Sequence, residues 1–157
     1  MAELLVDGNT PRNIDEDQFR LRQWLDLAPF EDYVGLVLDT AADGEARLSV
    51  PFRLCLANGG GVMHGGALVT LADTAVAMAI KTKLPTGTVF ATTELRTEFF
   101  APVRSGMVTA SARVRGPEGR SFYGDVEVYD ETGALVARFS SIFRVARGQG
   151  LEDLPGG

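Results

Sequence analysis

The most apolar stretch of the chain joins a glycine-rich loop to a long run of small and aliphatic residues. Residues 58–80 read NGGGVMHGGALVTLADTAVAMAI, and the polar residues that interrupt the run after residue 66 are Thr70, Asp73 and Thr74. A run of this length and composition predicts a helix that is buried on most sides. Pro85 and Gly87 follow the run, so we expect the helix to end near Lys83.

On both sides of this segment, the pattern changes to short runs separated by turn residues. Before it, residues 34–40 and 45–50 flank an Ala-Asp-Gly turn, which predicts a β-hairpin. After it, we predict four strands, at residues 88–100, 107–115, 121–129 and 134–145. The short turns between consecutive strands imply that neighbours are antiparallel.

Within the later strands, apolar residues mostly keep to one parity, and charged residues such as Asp125 and Glu127 take the other. This alternation predicts a sheet with one buried face. The long helix needs such a face, because nothing else in the chain can cover its circumference. The expected fold class is α+β, with an antiparallel sheet of about five to six strands wrapped around one long central helix.

The two ends of the chain carry weaker patterns. Residues 1–13 predict a mobile N-terminal arm, and residues 15–27 predict a short helix because acidic residues precede apolar ones at helical spacings. Residues 148–157 are rich in glycine and predict a disordered tail. A chain of 157 residues fits a single domain, which we place at residues 14–147.

Composition excludes several classes of function. The formal net charge of -6 argues against nonspecific nucleic-acid binding, which needs a basic surface. One histidine and one cysteine are too few soft ligands for a zinc site. The sequence contains neither a G-x-S-x-G motif nor a P-loop. Without an apolar leader or a run of about 18 apolar residues, we expect a cytoplasmic protein that does not contact a membrane.

The central helix carries two features that predict chemistry. Gly65 and Gly66 leave backbone N–H groups unblocked at the positive end of the helix dipole, which suits a developing negative charge. Asp73 places a carboxylate in an apolar segment, where an unpaired charge is strongly unfavourable. We therefore expect Asp73 either to be paired or to face a cleft.

The spacing of these residues resembles the signature of a known family. Asn58 lies six residues before His64 of the His-Gly-Gly turn, and Asp73 lies nine residues after it. A G-x-x-L-x-x-x-x-x-G-x-A pattern precedes the loop, and Phe-Phe-Ala-Pro at residues 99–102 follows the helix. Over residues 30–145, the chain resembles the hotdog-fold acyl-CoA thioesterases of the phenylacetate-pathway (PaaI-like) type.

The resemblance implies an activity, an assembly and a set of site residues. It implies hydrolysis of a coenzyme A thioester without a metal or other cofactor, since coenzyme A is part of the substrate. It also implies homodimers whose sheets join edge to edge, and often a homotetramer built as a dimer of dimers. The family's acid matches Asp73, its oxyanion-binding glycine Gly65, its aligning polar residue Asn58 and its supporting hydroxyl Thr92, with Thr93 as the alternative.

Substrate binding is assigned to residues near the helix start and to arginines. His64 and Gly66 adjoin the expected oxyanion site, where Gly66 could supply a second N–H. Coenzyme A carries phosphates, so an acidic protein must bind it through local basic residues. Arg120 begins a strand where the family often has a basic residue, and Arg115 and Arg104 are the next candidates.

The helix geometry favours a site shared between two subunits. Gly65 and Asp73 are eight residues apart, so their backbones are separated by roughly 12 Å along one helix. A nucleophile and an oxyanion donor must both lie about 3 Å from one carbonyl group. Two antiparallel copies of the helix can meet this requirement if Asp73 of one chain faces Gly65 of the other.

Each assignment has a structural alternative. Asp73 could be a core carboxylate bonded to backbone or arginine, and His64 could be a structural residue at the helix entrance. Asn58 could simply shape the loop, and Thr92 could be an ordinary strand residue. The protein as a whole could bind acyl-CoA as a sensor or carrier without hydrolysing it. A hotdog dehydratase or hydratase is a third reading, but the only histidine lies in the turn.

Overall fold

The computed structural model describes residues 2–12 and 17–151 of the chain. Its elements are, in chain order, β1 (Glu3–Leu4), β2 (Phe19–Arg20), α1 (Pro29–Val34), β3 (Val37–Ala42), β4 (Glu45–Pro51), a 3₁₀ turn (Leu54–Leu56), α2 (Gly65–Lys81), β5 (Phe90–Phe99), β6 (Met107–Glu118), β7 (Ser121–Tyr129) and β8 (Leu135–Val145). The predicted central helix and the six predicted strands of the main domain are all present, with boundaries shifted by a few residues.

The six longer strands form one antiparallel sheet in the order β3-β4-β6-β7-β8-β5. Strand β5 follows the helix in sequence but pairs with the last strand, β8, so it forms an edge of the sheet. Helix α2 packs across the sheet, from β4 to β8. This is the hotdog arrangement, and it confirms the α+β fold predicted from the sequence.

The core lies between α2 and one face of the sheet. Along β7 and β8, buried residues alternate with exposed ones, so that Phe122 pairs with Phe143 and Gly124 with Ser141 on the face toward the helix. Gly124 permits a close approach, because a Cβ at this position would lie 2.7 Å from Cγ2 of Val76. The helix therefore rests directly on the backbone of β7.

The N-terminal part differs from the sequence prediction. A short helix is present, but it is α1 at Pro29–Val34, and the helix predicted at residues 15–27 is wrong for its described part, residues 17–27. Phe19–Arg20 instead pairs with Glu3–Leu4 as an antiparallel strand, which satisfies its backbone groups. Helix α1 is bounded by Pro29 at its start and by Gly35, whose φ of 92° is left-handed, at its end.

The segment between β2 and α1 is fastened to the C-terminal end of α2. The indole Nε1 of Trp24 donates a hydrogen bond to the Lys81 carbonyl (2.9 Å), and the Lys81 ammonium donates to the Trp24 carbonyl (2.9 Å). Burial lowers the pKa of Lys81, and the nearby carboxylates of Glu31 and Asp26 partly offset this effect. This reciprocal contact joins the N-terminal segment to the central helix.

The predictions for the two ends of the chain fall partly outside the described residues. Residues 1, 13–16 and 152–157 belong to this group. The structure describes residues 2–12, where β1 pairs with β2, and residues 148–151. The mobility of the arm, the disorder of the tail and the domain limits at residues 14–147 stay predictions.

Candidate functional site

Asp73 lies on the side of α2 that its own sheet leaves partly open. The partly buried Asp73 shares this side with Thr70, one turn before it, and Ala77, one turn after it. Ala75 and Val76, between Asp73 and Ala77, are fully buried. The Thr92 hydroxyl on β5 donates to the carboxylate, at 2.9 Å from Oδ1 and 3.2 Å from Oδ2. Among the described residues, Thr92 is the hydrogen-bond donor to Asp73, and no arginine pairs with it.

The environment of Asp73 suits a carboxylate that exchanges protons. Partial burial raises its pKa above the ordinary aspartate value, because the charged form loses hydration. The hydrogen bond from Thr92 acts in the opposite direction and is the smaller effect. A carboxylate held in this way is more basic than an exposed one, as a general base requires.

A β-bulge brings Thr92 to Asp73. The register of β5 against β8 shifts between Thr92 and Glu94, so that Thr92 pairs with Phe143 and Leu95 pairs with Ser141. The extra residue is Thr93, whose hydroxyl donates to the Ile142 carbonyl (3.1 Å) instead. Because of the bulge, Thr92 and Leu95 both face α2 although they are three positions apart in sequence.

The start of α2 presents one backbone donor without a partner. His64 is the N-cap residue, and its Nδ1 accepts a hydrogen bond from the Gly66 N–H (2.8 Å). Within residues 2–12 and 17–151, no atom accepts a hydrogen bond from the Gly65 N–H. Gly65 is therefore the donor open to an acceptor, and the role of Gly66 as a second donor stays a prediction that would require His64 to release it.

Asn58 organises the glycine-rich loop before the helix. Its Oδ1 accepts hydrogen bonds from the Gly60 N–H (2.9 Å) and the Val62 N–H (3.4 Å), and its own N–H donates to the Val62 carbonyl (2.8 Å). These bonds match the loop-shaping alternative. The side-chain amide is exposed, and its contact with a reaction centre stays a prediction.

The aromatic side chain of Phe99 contacts Gly65, a neighbour that sequence reasoning did not identify. A Cβ built on Gly65 would lie 3.1 Å from Cζ, 3.4 Å from Cε1 and 3.8 Å from Cε2 of Phe99. The tip of the ring thus occupies the space that a side chain at position 65 would fill. Phe99 lies in the Phe-Phe-Ala-Pro segment, but the sequence gives no sign of which glycine it meets.

The two ends of the candidate site are well separated within one chain. Asp73 and Thr92 form one end, and Gly65 and Phe99 form the other. Both pairs join α2 to the inner face of β5, so the strand runs along the helix between them. The separation of roughly 12 Å along α2 remains too large for one carbonyl group to reach both Asp73 and Gly65.

The candidate arginines lie at three different places. Arg104 belongs to the loop beside Val103, whose carbonyl accepts from the Met63 N–H (2.9 Å), so it lies close to the start of α2. Arg120 donates to the Val145 carbonyl (2.9 Å), near the beginning of β5. Arg115 lies on the sheet face away from α2, 3.8 Å from Asp125. Arg104 therefore lies near the Gly65 end of the candidate site and Arg120 near the start of the strand that carries Thr92, and the arginine that binds coenzyme A stays a prediction.

A large concave region of the described residues lies away from this site. It measures about 900 Å³ and lies on the outer face of the sheet, lined by charged residues such as Arg47, Arg113 and Glu127. None of the candidate residues at the helix lines it. Mixed charge on an exposed sheet face is ordinary surface, so we assign the site from the geometry around Asp73 and Gly65.

Neither a metal-binding cluster nor a membrane-spanning helix occurs in the described part of the chain. Among those residues, no group of three histidine, cysteine or acidic side chains is arranged to hold a metal ion. Every helix within the same ranges is too short or too polar to cross a membrane.

Comparisons with known proteins identify the family. The sequence pattern of the thioesterase superfamily matches residues 60–137. A candidate esterase of Halobacterium salinarum is 30% identical over 106 residues, which are 64% of this chain and 70% of the relative. The chain belongs to the thioesterase superfamily.

Solved structures agree with this assignment to the thioesterase superfamily. A conserved protein of Pseudomonas aeruginosa matches with a TM-score of 0.75 and 29% identity, over 80% of this chain and 100% of that chain. A variant of the phenylacetic acid degradation protein PaaI from Thermus thermophilus matches with a TM-score of 0.68 and 34% identity, over 74% of this chain and 99% of that chain. The resemblance to PaaI-like proteins is confirmed, and superfamily membership supports a hydrolase that acts on thioesters.

Proposed function

We propose that this thioesterase-superfamily protein hydrolyses acyl-CoA thioesters as a homodimer, with each active site formed by both subunits. Asp73 of one subunit activates the water or attacks the thioester, and the Gly65 N–H of the other subunit binds the carbonyl oxygen. Coenzyme A is part of the substrate, and the reaction uses no metal or other cofactor. A dimer of dimers is the proposed larger assembly.

In this mechanism, the negative charge that develops on the thioester oxygen is stabilised at the start of α2. The Gly65 N–H points out of the positive end of the helix dipole, where an anion is favoured. Removal of one such donor typically slows catalysis about 10²- to 10³-fold. Asp73 acts either as general base toward water or as nucleophile that forms a mixed anhydride, and coenzyme A leaves as the thiol.

The proposal rests mainly on the burial and the hydrogen bonding of the Asp73 carboxylate. Its pKa is raised by burial, yet its contacts leave it available, since the described residues donate to it only through Thr92. A sensor or carrier would fit a carboxylate that is paired and sealed inside the chain. The partly open side of α2 and the unpartnered Gly65 N–H instead favour catalysis.

The uncovered apolar surface next to the site supports the dimer. Leu95 and Phe99 are 44% and 54% exposed on the inner side of the edge strand β5, next to the partly open side of α2. The free edge of β5 can pair with the same strand of a second copy, as the family's edge-to-edge dimers do. Such pairing would also bring the second copy's helix to this surface.

Release of free thiol from a panel of acyl-CoAs tests the proposed activity. We expect wild-type protein to release thiol from at least one member and Asp73→Asn to lose at least about 10²-fold in kcat with the same oligomeric state. Asp43→Asn is the matched control, because Asp43 lies in the exposed β3–β4 turn with a left-handed φ of 51°, which asparagine tolerates. Full activity of Asp73→Asn would remove Asp73 from the mechanism.

A further inference from the structure

The contact between Phe99 and Gly65 has the geometry of a support for the oxyanion site. Three atoms at the tip of the ring, Cζ, Cε1 and Cε2, lie within 3.8 Å of the position that a Gly65 side chain would take. The Gly65 N–H has no acceptor in the described part of the chain. Since the ring tip contacts the residue that carries this N–H, the ring lies close to the open donor.

Two physical effects follow from this placement. The edge of an aromatic ring carries partial positive charge, which complements an oxygen that becomes negative. The apolar body of the ring also excludes water from one side of the donor, and a hydrogen bond to an anion is stronger where the local dielectric constant is lower. Both effects grow as charge develops, so they favour the transition state over the bound substrate.

The strand holds the ring in this position. Phe99 is the last residue of β5 and pairs with Ala137, and the Phe100 N–H donates to the Val136 carbonyl (2.9 Å) immediately after it. Since Phe99 has the same orientation as Leu95 on the inner face, its ring is directed at α2 by the register of the strand. Glycine at position 65 leaves the room that the ring occupies.

We propose that Phe99 is a positioning residue of the oxyanion site, whose ring edge and apolar surface strengthen the hydrogen bond from the Gly65 N–H to the thioester oxygen. This inference rests on the proposed thioesterase activity. It differs from a role as a wall for the acyl group. A wall contributes to binding and contributes more to long acyl groups, whereas an oxyanion support contributes to kcat equally for all acyl groups.

The test measures kcat and KM for Phe99→Ala and Phe99→Leu with a short and a long acyl-CoA. We expect Phe99→Ala to lower kcat about tenfold with both substrates and with little change in KM. Phe99→Leu should lose less kcat than Phe99→Ala, because leucine still excludes water. It should still fall below the wild-type kcat, because leucine has no positive ring edge. The control is Phe100→Ala, since Phe100 is the adjacent aromatic residue, is similarly exposed at 50%, and has its ring 5.8 Å from the Arg138 guanidinium.

The outcomes separate the inference from the proposed function. If wild-type protein releases thiol and Phe99→Ala matches Phe100→Ala, the inference is overturned while the thioesterase activity stands. A loss confined to KM, or one that grows with the length of the acyl group, makes Phe99 an acyl wall and also overturns it. If wild-type protein hydrolyses no acyl-CoA, both proposals fail. Unfolding temperatures of the variants identify any loss that comes from misfolding.

Discussion

Asp73 is a residue whose placement favours chemistry over stability. Its pKa in the folded protein is raised by burial, so the folded chain binds the proton more tightly than the unfolded chain does. The contribution of Asp73 to stability is therefore greatest when it is protonated. That contribution is lost as the pH rises from the unfolded-state pKa through the folded-state pKa. At neutral pH the ionised Asp73 therefore lowers the free energy of unfolding.

The hydrogen bond from Thr92 partly offsets the effect of burial on the pKa of Asp73. Because this bond lowers the pKa of Asp73, its loss in Thr92→Val should raise that pKa further. The proposed mechanism needs the ionised carboxylate, so the acidic limb of the kcat/KM profile should move to higher pH. Measurement of thiol release across the acidic range checks this prediction.

The neighbouring threonine provides the control for that measurement. The Thr93 hydroxyl bonds to the Ile142 carbonyl and not to Asp73, so Thr93→Val should leave the acidic limb where it is in the wild-type protein. If the pH profile of Thr92→Val superimposes on those of the wild-type protein and Thr93→Val, the Thr92 hydrogen bond does not affect the pKa of Asp73 during catalysis.

At the residue scale, the sequence predicted the groups that belong to one local motif. Asp73, Gly65 and His64 could be proposed as candidate site residues because their spacing along one helix and its turn is fixed. The preference for Thr92 over Thr93 depends on a bulge, which the alternation of residue types does not reveal. The contact of Phe99 with Gly65 joins segments far apart in sequence, and it became visible only once the strand order was known.

At the scale of elements, α2 approaches the sheet closely at Gly124. Gly124→Ala would place a Cβ 2.7 Å from Cγ2 of Val76 and 3.1 Å from Oγ of Ser141. Overpacking of this kind typically destabilises a protein by about 1–3 kcal/mol, and we expect that loss in the free energy of unfolding. Denaturant titration measures it.

A second substitution tests whether the contact with the helix is responsible. Val76→Ala removes the methyl groups that the new Cβ would meet, so the double variant should be less destabilised than the sum of the two single variants. Additive losses would mean that the cost at Gly124 arises in the strand itself and not at the interface with α2.

The elements that the sequence predicted well are those with strong periodicity. Helix α2 and strands β3 to β8 were predicted from their patterns of apolar residues, and packing between the helix and the sheet agrees with those patterns. The segment before α1 was mispredicted because its few apolar residues fit a helix and a short strand equally well, and pairing of Phe19–Arg20 with Glu3–Leu4 decides between them. The sequence did mark the helix that is present: Pro29 lies at the start of α1 and Gly35 at its end.

At the scale of the whole molecule, the proposed site requires two chains, and a mixed dimer can test this. Asp73→Asn removes the base, and Gly65→Pro removes the N–H at a helix position where proline is favoured. In a mixed dimer with one chain of each kind, one of the two shared sites keeps both wild-type groups. Its activity should be about half that of the wild-type dimer, because symmetry gives each dimer two equivalent sites.

Purification of the mixed dimer through two different affinity tags makes the measurement direct. Each homodimer, of Asp73→Asn or of Gly65→Pro, should be nearly inactive. Gly65→Ala is the control for Gly65→Pro. Both substitutions add a Cβ beside Phe99, but alanine retains the backbone N–H. A mixed dimer as inactive as its parents would place both groups in one chain and contradict the shared site.

The bulge at Thr93 determines how related sequences should be aligned in this strand. One inserted residue lets the hydroxyl next to the acid and the aromatic ring next to the glycine face the same side of β5. A relative one residue shorter here would turn one of these two groups outward, even if every residue type were kept. For the proposed site, the length of this segment in a homologue is therefore as informative as the identity of its residues.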